Sequence, residues 1–163
     1  MLKNIIGFNI TWFGLVYWGN AFIPIAMLML SIHLLFFINN KKEIFYILLI
    51  SVIGIGVDSL LHYFDLFIFN EEIHIPFWLM VLWPCFASTL SHSLRFLDKA
   101  VWLQIVAGLL APLSYIAGYQ FEAVNFSHSI MITYIILSLI WASLFMLFFK
   151  LQSFFIDKEL SHD

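Results

Sequence analysis

The residues best suited to chemistry in this sequence lie inside an apolar run. The stretch "GIGVDSLLHYFDLF" (residues 54–67) carries Asp58 near its middle and His62 four residues later. In a helix these two side chains share a face. A carboxylate inside an apolar membrane segment is energetically costly and usually faces an interior site. The pattern therefore favours a functional acid at Asp58.

Several states of the Asp58 side chain are compatible with this sequence. It can be neutral, it can pair with a protonated His62, or it can bind a metal ion or a cationic substrate. The apolar segments contain no Lys or Arg that would neutralise it. The structural alternative is a neutral carboxyl group that forms hydrogen bonds with Ser, Tyr or a free backbone carbonyl and holds helices together.

A second group of polar residues lies within the segment "PCFASTLSHS" (residues 84–93). The spacing i, i+3, i+4, i+7 places four of its side chains on one helical face, namely Cys85, Ser88, Thr89 and His92. Small and hydroxylated residues in such a stripe often only pack helices together. A histidine near a helix end is often just a side chain that reaches the interface. His33 can lie beside His92 as a second base, however, so this pair is a candidate for proton transfer.

The composition places these residues in a membrane protein. Of 163 residues, 63% are hydrophobic and 10% are charged, which is more apolar surface than a soluble domain of this size buries. The net charge of −3 and the lack of a basic cluster argue against a nucleic-acid partner. A single cysteine excludes an intrachain disulfide and a multi-cysteine metal site. No signal-peptide cleavage pattern is evident, so the first apolar segment is expected to remain as a span.

Charged residues divide the chain into six predicted transmembrane helices of one all-α, polytopic bundle, a single domain over residues 1–163. A span needs about 20 apolar residues. Residues 4–40 carry no formal charge, and as one helix they would measure about 55 Å, too long for one crossing. Gly19-Asn20 supplies a turn, so a helical hairpin is predicted. The spans are about 4–18, 21–38, 44–69, 75–94, 100–121 and 128–149, and the C-terminal tail is expected to extend the last helix along the cytoplasmic surface.

The positive charges predict the orientation of this bundle. With six spans, all seven Lys and Arg residues fall on one side, and the positive-inside rule makes that side cytoplasmic. Both termini are then cytoplasmic. A single span over residues 4–40 would instead place Lys3 on the opposite side from Lys41 and Lys42, which favours the hairpin.

Residues can cooperate only where they lie at the same depth in the bilayer. At about 1.5 Å of rise per residue, Asp58 lies roughly 22 Å from the cytoplasmic end of its helix and His92 roughly 5 Å from its own. A metal site formed by Asp58, His62 and His92 is therefore excluded, and no metal or cofactor is predicted. Two layers remain. The cytoplasmic layer contains Asn9, His33 and His92, and the deep layer contains Asp58, Ser114 and Tyr115.

Two prolines interrupt helices near the deep layer. Pro84 and Pro112 remove the backbone hydrogen bonds to the carbonyls of Met80 and Gly108. A free carbonyl inside the bilayer must find a partner or line a cavity, and Met80 is level with Asp58. The alternative is that both prolines are tolerated kinks.

Three blocks of the sequence resemble a known family. "GVDSLL", "PFWLMVLWPCFASTLSHSLRFL" and "GLLAPLSYIAGY" are similar to the recurring blocks of small bacterial inner-membrane proteins catalogued as domain of unknown function 2878. The resemblance covers most of the chain and implies a multi-pass protein of the bacterial inner membrane with no established activity. It departs from the family pattern at Ala111, where Gly is expected, and at the inserted Phe77. The matching residues are Asp58, Trp78, Trp83, Thr89, His92, Ser93, Pro112, Ser114 and Tyr115, with His33 as a further match.

The leading functional prediction is an interior polar site that binds or modifies a lipid or another lipid-soluble molecule. Asp58 would be the deep acid or orienting group with Ser114 and Tyr115 as hydrogen-bond partners, while His92 and His33 handle protons. The alternatives are a small proton-coupled transporter that uses Asp58 and a non-enzymatic accessory subunit. No hydrolase, metalloprotease or nucleotide-binding motif is present, and the oligomeric state is not assigned. Further predicted substrate contacts are Asn9, His62, Trp83, Thr89 and Ser93.

Overall fold

The computed structural model describes residues 2–38, 40–69 and 73–155, with side chains from residue 4 onward. These residues form an all-helical bundle with one two-stranded ladder, which confirms the predicted class. The elements are α1 (Leu2–Trp18), a 3-10 turn (Gly19–Phe22), α2 (Ile23–Phe37), α3 (Lys41–Tyr63), β1 (Phe67–Ile68), α4 (Phe77–Leu90), a 3-10 helix (Arg95–Lys99), α5 (Val101–Leu110), α6 (Leu113–Gln120), β2 (Asn125–Phe126) and α7 (Ile130–Phe155).

Four helical runs are long and apolar enough to cross a membrane. They are Asn4–Phe37, Lys41–Tyr63, Val101–Gln120 and Ile130–Phe155, and α4 is a shorter apolar helix. The predicted C-terminal extension of the last helix is present as far as Phe155. Residues 156–163, the predicted loop at residues 70–72 and the Lys3 side chain lie outside the described residues.

The first run folds back on itself. Asn4–Phe37 is a continuous stretch of 34 helical residues, but Gly19 has a φ of +56°, a left-handed conformation that glycine adopts without strain. The Thr11 hydroxyl lies 3.5 Å from the sulfur of Met29, whereas a straight helix would separate these residues by about 27 Å. Helices α1 and α2 therefore form the predicted hairpin.

Helix α4 is the central helix, packed against α1, α2 and α3. It has 14 residues, so it is about 21 Å long and shorter than the predicted span 75–94. The helix is short because its hydrogen-bond pattern changes at its C-terminal end. There the amides of His92 and Leu94 both donate to the Thr89 carbonyl, at 3.2 and 2.9 Å, and the α-helical pattern stops.

The predicted span 100–121 is broken into two helices at Pro112. Helix α5 ends at Leu110, and Pro112 precedes the first turn of α6. Before the break, α5 packs closely on α7, since a Cβ built on Gly108 would lie 2.3 Å from the Cα of Ala142. A small residue at this position lets the two backbones approach.

The predicted span 44–69 ends earlier than expected. Helix α3 stops at Tyr63 and closes with a Schellman motif, in which the Asp65 amide donates to the His62 carbonyl and the Leu66 amide to the Leu61 carbonyl. Asp65 has a φ of +58°. The chain then forms β1, whose Phe67 pairs antiparallel with Phe126 of β2.

The bundle has two distinct ends. At one end the Asn20 side chain in the hairpin turn accepts a 3.0 Å hydrogen bond from the Trp78 amide, on the same side as the β1–β2 ladder. At the other end the Tyr46 hydroxyl donates to the Phe148 carbonyl at 3.0 Å. The Lys and Arg residues with described side chains lie at or near this second end, here called the basic end, and are Lys41, Lys42, Arg95, Lys99 and Lys150.

Candidate functional site

Asp58 is held in the core by two aromatic donors. Its side chain on α3 is 1% exposed. The indole N–H of Trp83 on α4 donates to Oδ2 at 2.7 Å, and the hydroxyl of Tyr115 on α6 donates to Oδ1 at 3.1 Å. These three residues are called the Asp58 cluster. Both carboxylate oxygens are occupied, so the cluster joins three helices without help from a ligand.

A glycine one turn away makes room for this arrangement. Gly54 lies four residues before Asp58 on α3, and a Cβ built there would be 2.0 Å from the Trp83 ring. The indole therefore lies against bare backbone, with its N–H in reach of Asp58. On its other side Trp83 stacks on Trp141 of α7, with ring centroids 5.5 Å apart and planes 7° from parallel.

Two candidate partners of Asp58, Ser114 and the alternative His62, form their hydrogen bonds elsewhere. The Ser114 hydroxyl is exposed and donates at 2.7 Å to the Ala111 carbonyl three residues earlier, a local bond that Ser88 and Thr89 also form on α4. The His62 ring is 3.0 Å from the Phe67 carbonyl through Nδ1, since α3 ends one residue later and the chain turns back past the ring. Of the partners expected from depth, Tyr115 is correct.

Trp83 is the partner of Asp58 that sequence reasoning missed. It was expected to contact a substrate, not to donate to the carboxylate. The sequence contains a signal for this contact. A buried indole N–H needs an acceptor, and Trp83 lies one turn after Met80, which is level with Asp58.

An apolar cavity lies beside the Asp58 cluster, between α1, α4, α5, α6 and α7. Its volume is about 410 Å³, and it is called the aromatic cavity. Asp58 is not among the described residues that line it, because Trp83 and Tyr115 stand in between. The carboxylate therefore does not reach the space where a ligand would lie. Its aromatic walls include Trp12, Trp78, Trp83, Phe86, Tyr115 and Trp141.

A second polar group lies at the basic end. The rings of His33 on α2 and His92 after α4 meet edge to face, with centroids 4.9 Å apart. Glu43 in the first turn of α3 has its Oε1 3.1 Å from Nε2 of His92. These residues are called the histidine cluster. The structure brings the two histidines together, as their depth predicts. Glu43 is a member of the cluster that the sequence pattern does not indicate, because it lies in the charged first turn of α3, next to Lys41 and Lys42.

Polar atoms of the histidine cluster lack hydrogen bonds. Nε2 of His33, Nε2 of His92 and Oε1 of Glu43 are buried, and none has a hydrogen-bond partner within the described part of the chain. The 3.1 Å contact between His92 and Glu43 is short enough for an ion pair but is not aligned as a hydrogen bond. Buried polar atoms are nearly always satisfied, so this group stands out from the Asp58 cluster.

The histidine cluster opens into a second cavity, between α1, α2 and α4, with a volume of about 480 Å³. It is called the histidine cavity. Its lining is polar at the basic end, at Asn4, His33 and His92, and mostly apolar farther in, with Phe8 and Met29 among the wall residues. The hydroxyls on its deeper wall bond their own helix backbone, as Thr11 does to Gly7 and Ser88 to Cys85.

The remaining predicted contacts lie outside the cavities. Asn9 is exposed and donates to the Ile5 carbonyl at 2.8 Å, so its expected place in the cytoplasmic layer is taken by Asn4. Thr89 is buried and donates to the Phe86 carbonyl at 2.6 Å. The buried Ser93 hydroxyl donates to the Asn4 side chain and so contacts the histidine cavity through it.

Two further findings bear on function. Among the described residues, no group of three or more His, Cys, Asp or Glu side chains is arranged to hold a metal ion. The family model described as "Protein of unknown function (DUF2878)" matches residues 1–147. No curated protein and no solved structure matches the chain.

Proposed function

Since this chain belongs to the DUF2878 family of proteins of unknown function, we propose from its own geometry that it is a multi-pass protein of the bacterial inner membrane. Its function is to bind the apolar part of a lipid-soluble molecule. The observation that carries this proposal is the aromatic cavity of about 410 Å³, whose wall is fixed in place by the buried Asp58 cluster.

The proposed topology has six crossings with both termini in the cytoplasm. Successive long helices run in alternating directions, and the described basic side chains collect near one end of the bundle, as the positive-inside rule requires of the cytoplasmic side. Helix α4 is short for a crossing, but it is apolar and surrounded by α1, α2 and α3. The bilayer can adjust to a short span at modest energetic cost.

The lining of the aromatic cavity supports an apolar ligand. Ligand pockets typically enclose about 300–1,000 Å³ and are mostly apolar, and this cavity falls in that range. The N–H of Trp83 and the hydroxyl of Tyr115 are directed at Asp58, which leaves their ring carbons to line the cavity. A hydrocarbon chain fits such a wall, whereas a charged group would find no charged side chain among the described lining residues, which include the Ser114 hydroxyl.

Asp58 is proposed as a positioning residue in this function. It holds Trp83 and Tyr115 in fixed orientations and does not itself line the aromatic cavity. This geometry favours ligand binding over proton-coupled transport through Asp58, since the side chain is 1% exposed and both oxygens accept hydrogen bonds.

Photocrosslinking in detergent tests the proposal. The purified full-length protein is mixed with a stoichiometric amount of a diazirine-bearing fatty acid, irradiated and mapped by mass spectrometry. Labels are expected on α4, α6 and α7 around the cavity. Ala111→Phe fills the cavity and should remove most of this labelling, while Val52→Phe, on the exposed face of α3, should leave it unchanged.

Two results would reject this function. One is unchanged labelling in a folded Ala111→Phe protein, with Ala107→Phe as a second cavity-filling variant. The other is labelling spread evenly over the outer helix faces, which would leave the accessory-subunit alternative.

A further inference from the structure

We propose that the histidine cavity is a second, separate binding site, specific for a lipid with an uncharged hydroxyl headgroup. The headgroup contacts His33 and His92 at the basic end, and the hydrocarbon chain extends along α1 and α2. Of the described lining residues, the two cavities share only Phe8, and the proposal does not depend on the function assigned to the aromatic cavity.

The shape of the cavity matches an amphiphile. Its histidine rings lie at the helix ends, whereas the deeper hydroxyls of Thr11 and Ser88 bond their own helices and residues such as Met29 form the apolar wall. In the proposed topology the polar end is at the depth of lipid headgroups, and the apolar wall reaches into the hydrocarbon. A lipid molecule bound here would therefore keep the orientation that it has in the bilayer.

The unsatisfied nitrogens point to a hydrogen-bonding headgroup. Nε2 of His33 is buried and has no hydrogen-bond partner in the described structure, while the ring lines the cavity. A neutral imidazole offers one donor and one acceptor. A hydroxyl group can donate to one ring and accept from the other, and the rings of His33 and His92 are near enough, with centroids 4.9 Å apart, to share it.

The charge around the site favours a neutral headgroup over a phosphate. The Glu43 carboxylate lies 3.1 Å from His92, so an anionic headgroup between the rings would be near another negative charge. The basic side chains that could offset it, Lys41, Lys42 and Arg95, are exposed and are not among the described lining residues. Unfavourable placement of like charges in a poorly hydrated site is strongly destabilising.

A matched pair of single-chain lipids tests this inference. The full-length protein in detergent is titrated with oleyl alcohol and with oleyl phosphate, and the bound fraction is measured by native mass spectrometry. Oleyl alcohol should bind about tenfold more tightly, the difference expected from one good polar contact. Because oleyl alcohol can also enter the aromatic cavity, both titrations are repeated in the Ala111→Phe variant, and equal or tighter binding of oleyl phosphate there would overturn the proposal. Dioleoylglycerol as a third probe shows whether two chains are preferred.

Substitutions identify the site. His33→Phe keeps the ring that stacks on Phe37, with centroids 5.4 Å apart, but removes both nitrogens, so oleyl alcohol affinity should fall about tenfold. His33→Gln retains a donor and an acceptor and should recover part of that loss. His128→Phe, exposed near the opposite end, should have no effect, and the loss caused by His33→Phe should be the same when Ala111→Phe has filled the aromatic cavity. Undiminished binding in folded His33→Phe would overturn the proposal.

Discussion

The Asp58 cluster and the histidine cluster both contain buried polar side chains, but the two clusters differ in how these side chains are hydrogen-bonded. In the Asp58 cluster, both carboxylate oxygens, the indole N–H and the phenol hydroxyl are joined in internal hydrogen bonds. In the histidine cluster, polar atoms of His33, His92 and Glu43 are buried without hydrogen bonds to the described part of the chain, and two of the side chains face a cavity. A satisfied buried cluster stabilises helix packing, whereas an unsatisfied one beside a cavity can gain hydrogen bonds from a ligand when its side chains turn toward that cavity.

The surroundings of the two clusters differ in the same way. Asp58 lies where α3 and α4 pack tightly through Gly54. His33 lies on the α1–α2 hairpin, where 11% of the residues in an 18-residue apolar stretch are buried. In the corresponding stretch of α3 the buried share is 33%. A hairpin with few residues buried against the rest of the bundle can move to admit a ligand with less loss of internal contact. We therefore expect substitutions in the Asp58 cluster to change stability and those in the histidine cluster to change binding.

The largest effect is expected from a methyl group at Gly54. A Cβ there would meet the Trp83 ring at 2.0 Å, whereas one at Gly56 on the same helix meets nothing within 4 Å. Gly54→Ala must displace the indole and its hydrogen bond to Asp58, which should reduce stability by roughly 2–5 kcal/mol. Gly56→Ala is the matched control and should change it little. The readout is the thermal midpoint in detergent, and equal midpoints would show that the Trp83 packing is not needed.

A smaller effect on stability is expected at Asp58 itself. In Asp58→Asn the amide oxygen can accept from Trp83 and the amide N–H can donate to the Tyr115 hydroxyl, so the cluster can be kept. Asp58→Leu leaves both aromatic groups without a partner and should cost roughly 1–3 kcal/mol. The midpoints of the two variants measured together decide the point. An Asn variant as unstable as the Leu variant would indicate that the negative charge is essential.

Sequence reasoning located the layers better than it located partners. The fold-back at Gly19 and the pairing of His33 with His92 follow from span lengths and depth. The direction of the Asn9 side chain does not follow from the sequence. Helix α1 is apolar on nearly every face, so no polar face indicates which side of the helix packs against the bundle. The environment of His62 also depends on a tertiary detail, the left-handed turn at Asp65, which the residue type does not mark.

Substitution of Glu43 tests, through binding alone, why the histidine cavity prefers an uncharged headgroup. Glu43→Gln keeps the size of the side chain and removes the negative charge beside His92. If that charge is what excludes an anionic headgroup, affinity for oleyl phosphate should rise about three- to tenfold while affinity for oleyl alcohol changes less. Native mass spectrometry of both lipids measures the ratio. A ratio equal to that of the unchanged protein would remove Glu43 from the selectivity argument.

The two clusters have separate roles. The hydrogen-bonded Asp58 cluster holds helices together, and the histidine cluster binds a lipid headgroup. The most direct test of this division is oleyl alcohol binding to Asp58→Asn and His33→Phe, measured side by side with the unchanged protein. We expect Asp58→Asn to retain full affinity and His33→Phe to lose about tenfold with its thermal midpoint nearly unchanged. Loss of binding in folded Asp58→Asn together with full binding in His33→Phe would contradict this division.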